Sequence, residues 1–211
     1  IGLPDSEFHR VSDIYPSKPS PLQFLFPLIA KLPRFLLPGP TKFLVDFGDT
    51  SKPVGAAFNN PPISSNEGME ANTKKWRNAE IPAANGHATA RSIAKLYGVL
   101  ANGGSLDDFH LLSPDTIESG RETQSDGKDL VLGGMHTRFG LGFMLGTENV
   151  SMGPNPNAFG HGGAGGSLGF SDPDNHISLG FVMNQMHPGI TAWKTATDVA
   201  ESVYKSLSII K

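Results

Sequence analysis

The chain has 211 residues, a formal charge of −3 and 38% hydrophobic residues, which is enough apolar material for a core and too much for outright disorder. The mildly acidic balance and the lack of Lys/Arg blocks give phosphates no electrostatic footprint, which excludes nucleic acid as the main partner. With no cysteine in the chain, a disulfide scaffold, thiolate zinc, iron–sulfur clusters and a Cys nucleophile are excluded together.

Ile1 opens the chain in place of Met, which reads as a cut N-terminus. Asp5, Glu7 and Arg10 follow too early for a secretory signal. Residues 1–88 are rich in Pro, Asn and Ser and read as a loop-rich, partly helical segment. The most apolar stretch, Pro21 to Pro38, is broken by Pro27 and Pro33 and carries Lys31 and Arg34, so no transmembrane segment is expected. The Phe24–Leu37 part of it reads as apolar side chains docked onto something larger.

Residues 89–211 read as helices plus an antiparallel sheet, and with the first segment they make one incomplete domain of α+β class. Ile93, Leu96, Tyr97 and Leu100 recur at helical spacing, Thr89 is placed to cap them, and Asn102-Gly103-Gly104 stops the run. A second helix is expected over Ser113–Gly120, with Ser113 as cap and Pro114 in the first position. Strands follow at Phe139–Leu145, Ala158–Gly163, Ser167–Ser171 and Ile177–Asn184. The last two join as a hairpin across Asp172-Pro-Asp-Asn175. A final helix from about Thr191 carries Ala196, Val199, Ala200, Val203 and Leu207 on its buried stripe.

Several formal motifs meet their chemistry poorly. Gly160-His-Gly-Gly-Ala-Gly165 satisfies the dinucleotide fingerprint, but a hairpin follows where a helix N-terminus would have to meet the pyrophosphate. Gly165-Gly-Ser167-Leu-Gly169 satisfies the nucleophile elbow, which needs a helix after the Ser. Ser-x-x-Lys occurs at Ser92/Lys95, Ser125/Lys128 and Ser202/Lys205, among other places. The chemistry needs a Ser on a buried first turn with a desolvated Lys one turn later, and each pair lies off its apolar stripe or in a polar loop. The seven histidines show no metal-ligand spacing, and no metal or cofactor is expected.

Three stretches carry a resemblance together. Trp76 through Tyr97 and on to Gly104, Phe139-Gly-Leu-Gly-Phe143, and Phe159-Gly-His161-Gly-Gly-Ala-Gly-Gly-Ser-Leu-Gly-Phe170 resemble the downstream half of the penicillin-recognising serine hydrolases. These include class C β-lactamases, D-Ala-D-Ala peptidases and, most of all, family VIII carboxylesterases. Ile1-Gly-Leu-Pro4 is similar to a family segment just beyond the second motif. The family's Ser-x-x-Lys nucleophile and its Tyr-x-Asn or Tyr-x-Ser motif have no counterpart in order. Only Tyr15-Pro-Ser17 approaches the latter, and it lies in the wrong place.

The resemblance therefore implies the C-terminal portion of a β-lactamase-like hydrolase acting on an ester or amide through a Ser acyl-enzyme, with a missing N-terminal half as its partner. It implies that His161 lines the cleft, that Gly162 and Gly163 let substrate approach the strand edge, and that the Ala164 N–H donates to the oxyanion. Small residues suit close approach to a strand, and a neutral imidazole offers one hydrogen-bond donor without a fixed charge. Two other readings stay open: a non-catalytic module that keeps the scaffold, and a complete α/β-hydrolase using Ser167.

Overall fold

The computed structural model describes residues 1–18, 28–65, 67–148, 150, 152–188 and 194–210, without the side chains of residues 40, 209 and 210. They fall into two compact units. One comprises Ile1–Gly86 with Lys128–Met135, the other His87–Gly127 with His136–Lys211.

The first unit is built from short helices joined by polar side chains. Proline starts two of them: α1 (Gly39–Phe47) after Pro38, and α2 (Pro53–Phe58) at its own first residue, where the missing N–H costs nothing. Phe47 stacks on Phe58 at 5.7 Å and lies 6.4 Å from Phe43. Thr73 caps α3 (Lys74–Asn78) by accepting the Trp76 N–H, and Trp76 and Arg77 are buried. With few ladders available, side chains satisfy the backbone. Asn85 is buried and donates to the Trp76 and Ala79 carbonyls while accepting from the Ile81 N–H. Asn72 pairs with both main-chain groups of Ile14, and Arg77 donates to Asp13 at 2.7 Å. These bonds tie the N-terminal segment onto residues 72–85.

In the second unit Thr89 caps α4 (Ala90–Ala101) through the Ser92 N–H, and Gly103 and Gly104 end it at positive φ. Ser113 caps α5 (Pro114–Arg121) through the Thr116 N–H. Both helices agree with the sequence pattern. A small hairpin, β1 (Ser105–Leu106) with β2 (Phe109–His110), lies between them. Beyond α5 come β3 (Ser125–Asp129), β4 (Met135–Phe139), β5 (Met144–Leu145), β6 (Phe159–Gly162), β7 (Leu168–Asp172), β8 (Ile177–Phe181) and α6 (Lys194–Ile210). Strands β3 to β8 form one sheet in sequence order, so the α+β class with an antiparallel sheet holds.

Five expectations change. The Phe139–Leu145 run is not one strand: it is interrupted after Phe139, because Gly142 takes φ +81° and a Cβ on Gly140 would meet the Gly120 carbonyl at 2.2 Å. Residues 125–129, read as a polar loop, form β3, and the last hairpin strand stops at Phe181. Leu96 faces solvent, since the face of α4 against the sheet is made by Ala90, Ile93, Ala94 and Tyr97. Val199 is also exposed, with Ala196 and Ala200 as the buried centre of α6. The expected start of that helix, Thr191, lies outside the described residues, as does the Phe24–Phe26 part of the apolar N-terminal stretch.

The packing of α4 explains the glycines of the hairpin. Gly169 and Gly180 are register partners across β7 and β8. A Cβ on Gly180 would sit 2.3 Å from the Ala90 carbonyl, and one on Gly169 would sit 2.4 Å from the Tyr97 ring. The helix thus lies on sheet backbone. Ser171 and Ser178 donate to the Tyr97 and Ala94 carbonyls at 2.7 and 2.8 Å on the same face. Leu100, Ile117, Leu145 and Phe159 form the core there, with Phe143 edge-on to Phe159 at 5.0 Å. On the opposite face Phe170 stacks on Tyr204 of α6.

Candidate active site

Ser167 is followed by strand β7, not by a helix, which removes the geometry a nucleophile elbow requires. The same hairpin removes the dinucleotide reading of Gly160–Gly165. The three named Ser-x-x-Lys pairs are placed for other work. Ser92 Oγ bonds Thr89 Oγ1 in the cap, and Ser202 Oγ donates to the Asp198 carbonyl while Lys205 pairs with Glu201. Ser125 and Lys128 are exposed on β3. Burial raises the phenol of Tyr97, and burial followed by the bond to Asp172 raises that of Tyr204 far above the usual range. Neither is a phenolate base near neutral pH. Among the described residues no group of three His, Asp or Glu is placed to hold a metal.

The end of β6 has a different character. Its ladder to β7 runs through His161↔Gly169 and Gly162↔Leu168, whereas its ladder to β5 stops at Gly160↔Met144. Residues His161 and Gly162 therefore have a paired edge and an edge beyond the reach of β5. The turn that follows is closed by Gly163 N–H to the Ser167 carbonyl at 2.8 Å and Gly166 N–H to the Gly163 carbonyl at 3.0 Å. Ala164 stands exposed at the tip, and its N–H has no acceptor among the described residues. A Cβ at Gly163 would meet Ser167 Oγ at 2.3 Å, so a larger residue there would have to turn the Ser167 hydroxyl aside. Gly165, at φ +82°, rests on Met186 and accepts the His187 N–H at 2.9 Å.

His161 is exposed, and its Nδ1 lies 2.6 Å from the Gly162 carbonyl. A carbonyl only accepts, so Nδ1 carries a proton, and Nε2 is the acceptor when the ring carries no second one. The one donor that the neutral imidazole was expected to offer a ligand is already in use. Phe139 lies against the same ring, centroids 6.0 Å apart. No local pattern marked Met186, which meets the β6–β7 turn at Gly165 from beyond β8.

In the second unit an antiparallel sheet thus carries α4 and α5 on one face and α6 on the other, with a glycine-rich strand end open on one edge among the described residues. Residues 1–201 match the Beta-lactamase family, and the chain belongs to it. It is similar in structure to a family VIII carboxylesterase, with 33% identity, a TM-score of 0.73, and coverage of 97% of this chain and 46% of that one. A penicillin-binding protein homologue from Caulobacter crescentus gives 34% identity and a TM-score of 0.71 over 98% of this chain and 47% of that one. The esterase/β-lactamase LipL of Mycobacterium tuberculosis is 38% identical over 108 residues, which are 51% of this chain and 24% of LipL. The chain spans about half the length of the solved structures it matches.

Proposed function

We propose that this chain is the C-terminal portion of a serine esterase and supplies the substrate-facing strand of its site, the nucleophile and its base coming from a Ser-x-x-Lys outside these 211 residues. The observation that carries the reading is the asymmetric ladder of β6, which leaves His161 and Gly162 open beside the unpaired Ala164 N–H. A substrate acyl group laid along that edge meets Gly162 and Gly163, which have no side chain to exclude it. The Ala164 N–H is then one donor to the oxygen that becomes negative as the Ser oxygen bonds the carbonyl carbon. The ester C–O bond breaks next, the alcohol leaves with the proton taken from the Ser, and water releases the acid from the acyl-enzyme. His161 Nε2 accepts a hydrogen bond from a hydroxyl in this arrangement, which suits neutral esters over substrates carrying a carboxylate.

Two further features support a site completed by more sequence. Among the described residues strand β8 ends the sheet with one ladder edge open, a liability that folded proteins usually cover, and the chain matches only about half the length of its solved relatives.

The test has two arms. This chain is incubated with a fluorophosphonate and weighed: no adduct is expected, and a stoichiometric adduct on any Ser would place the nucleophile inside it. The chain is then joined to the N-terminal half of the family VIII carboxylesterase and assayed on a neutral aryl ester. Turnover is expected, falling about 10²–10³-fold in His161→Ala if one transition-state contact is lost. Unchanged turnover in that variant removes His161 from the site.

A further inference from the structure

Two peptide groups link the segment after β8 to the exposed N–H of Ala164. The β6–β7 turn closes with Gly166 N–H donating to the Gly163 carbonyl at 3.0 Å, and Gly165, its third residue, takes φ +82°, as a type II turn requires. The Gly165 carbonyl in turn accepts the His187 N–H at 2.9 Å. Neither peptide is cis, and a trans peptide sends its C=O and N–H to opposite sides. The Gly165–Gly166 peptide therefore receives His187 on one side and donates to Gly163 on the other. The Gly163–Ala164 peptide receives that bond on its carbonyl, which aims the Ala164 N–H out of the turn.

Packing holds the same strip of backbone. Gly165 and Gly166 are buried and Met186 is half-buried, while Ala164 is exposed. A Cβ on Gly165 would lie 2.8 Å from Met186 Cγ and Cε and 3.0 Å from its Cβ, so the Met186 side chain lies along the Gly165 backbone. Residues 186 and 187 thus supply both an apolar support for the turn and the first bond of the chain.

We propose that Met186 is a positioning residue: together with the His187 N–H it sets the direction of the Ala164 N–H through the two peptide groups. Each bond in such a chain polarises the next, so the arrangement also strengthens the Ala164 N–H as a donor to a developing negative oxygen. An unbranched thioether suits this place because it fills an irregular gap against bare backbone. The inference rests on the esterase reading for what the Ala164 N–H meets, whereas the relay of peptide groups is a property of this chain.

Amide hydrogen exchange followed by NMR on this chain reads the relay without catalysis. Met186→Ala should speed exchange at Gly166 by about tenfold or more while Val99 and Leu100 in α4 keep their rates, and Met186→Leu, which conserves volume, should restore it. Unchanged exchange at Gly166 in Met186→Ala overturns the proposal, and so does faster exchange throughout α4, which makes Met186 a general packing residue. The second arm assays the same variants on a neutral aryl ester in the fusion with the carboxylesterase N-terminal half. A group displaced by about 1 Å can cost about 10²-fold, so kcat should fall by about 10–100-fold in Met186→Ala with KM within about twofold, and recover in Met186→Leu. A raised KM at constant kcat overturns the positioning role and makes Met186 a substrate contact. A wild-type fusion without turnover removes the esterase reading, and the exchange result then decides the relay alone.

Discussion

Replacing Tyr204 with Phe tests how the C-terminal helix is held to its sheet. Asp172, at the end of β7, is fully buried and accepts from five donors. These are the Tyr204 hydroxyl at 2.5 Å, Asn155 Nδ2 at 2.6 Å, Asn175 Nδ2 at 2.9 Å and the N–H groups of Asp174 and Asn175 at 3.1 Å. Burial pushes its carboxyl up, but the bonds from Tyr204, Asn175 and Asn155 outweigh burial and hold it below the ordinary carboxylate range. Tyr204→Phe removes one charge-assisted bond and keeps the ring stacked on Phe170. A hydrogen bond to a charged group contributes about 1.5–3 kcal/mol, so a loss near 2 kcal/mol is expected at pH 7. For a chain of this size that is a fall of roughly 4–8 °C in Tm.

The pH dependence has a fixed sign. A carboxyl depressed in the folded state adds stability that is complete above its unfolded pKa, about 3.9, and is lost as pH falls through the lower folded value. The gap between wild type and Tyr204→Phe should therefore narrow below about pH 4. Urea titration at pH 7 and at about pH 3 measures both quantities. A loss under about 0.5 kcal/mol at pH 7, or a gap that persists unchanged in acid, would refute the argument that Asp172 is the charged anchor of α6.

Other substitutions probe separate parts of the structure. Gly180→Ala should destabilise by about 1–3 kcal/mol or more by pushing α4 off the sheet, whereas Gly39→Ala, with nothing within 4 Å of its Cβ, should leave the urea midpoint nearly unchanged. Ser113→Ala should cost about 0.5–2 kcal/mol through its cap, and rescue by Asp at the same position would confirm the mechanism. Asn85→Ala strands the Trp76 and Ala79 carbonyls and the Ile81 N–H, so a loss of several kcal/mol is expected at about 1–3 for each group left buried; proteolysis should then cut first within residues 72–85.

Local chemistry settled a good part of this protein from sequence alone. A Thr or Ser placed before a helical pattern, with Pro or Gly at the right end, dictates caps and stops from a few neighbouring residues, and the helices capped by Thr89 and Ser113 formed as read. Asp172-Pro-Asp-Asn175 specified its hairpin for the same reason, and the Gly-rich end of β6 marked the family. The tertiary structure decided what depends on pairing across distance. Whether residues 125–129 become a strand depends on finding β4, not on their own polar side chains. Leu96 lies outside the packed face because Gly180 admits the backbone of α4 and Gly169 admits the Tyr97 ring, which no periodicity in the helix itself records. Asp172 draws its donors from residues 155 and 204, and His161 its aromatic neighbour from residue 139. The open edge of β6 exists only because β5 stops after two residues, and a strand's length is set by the partner it meets.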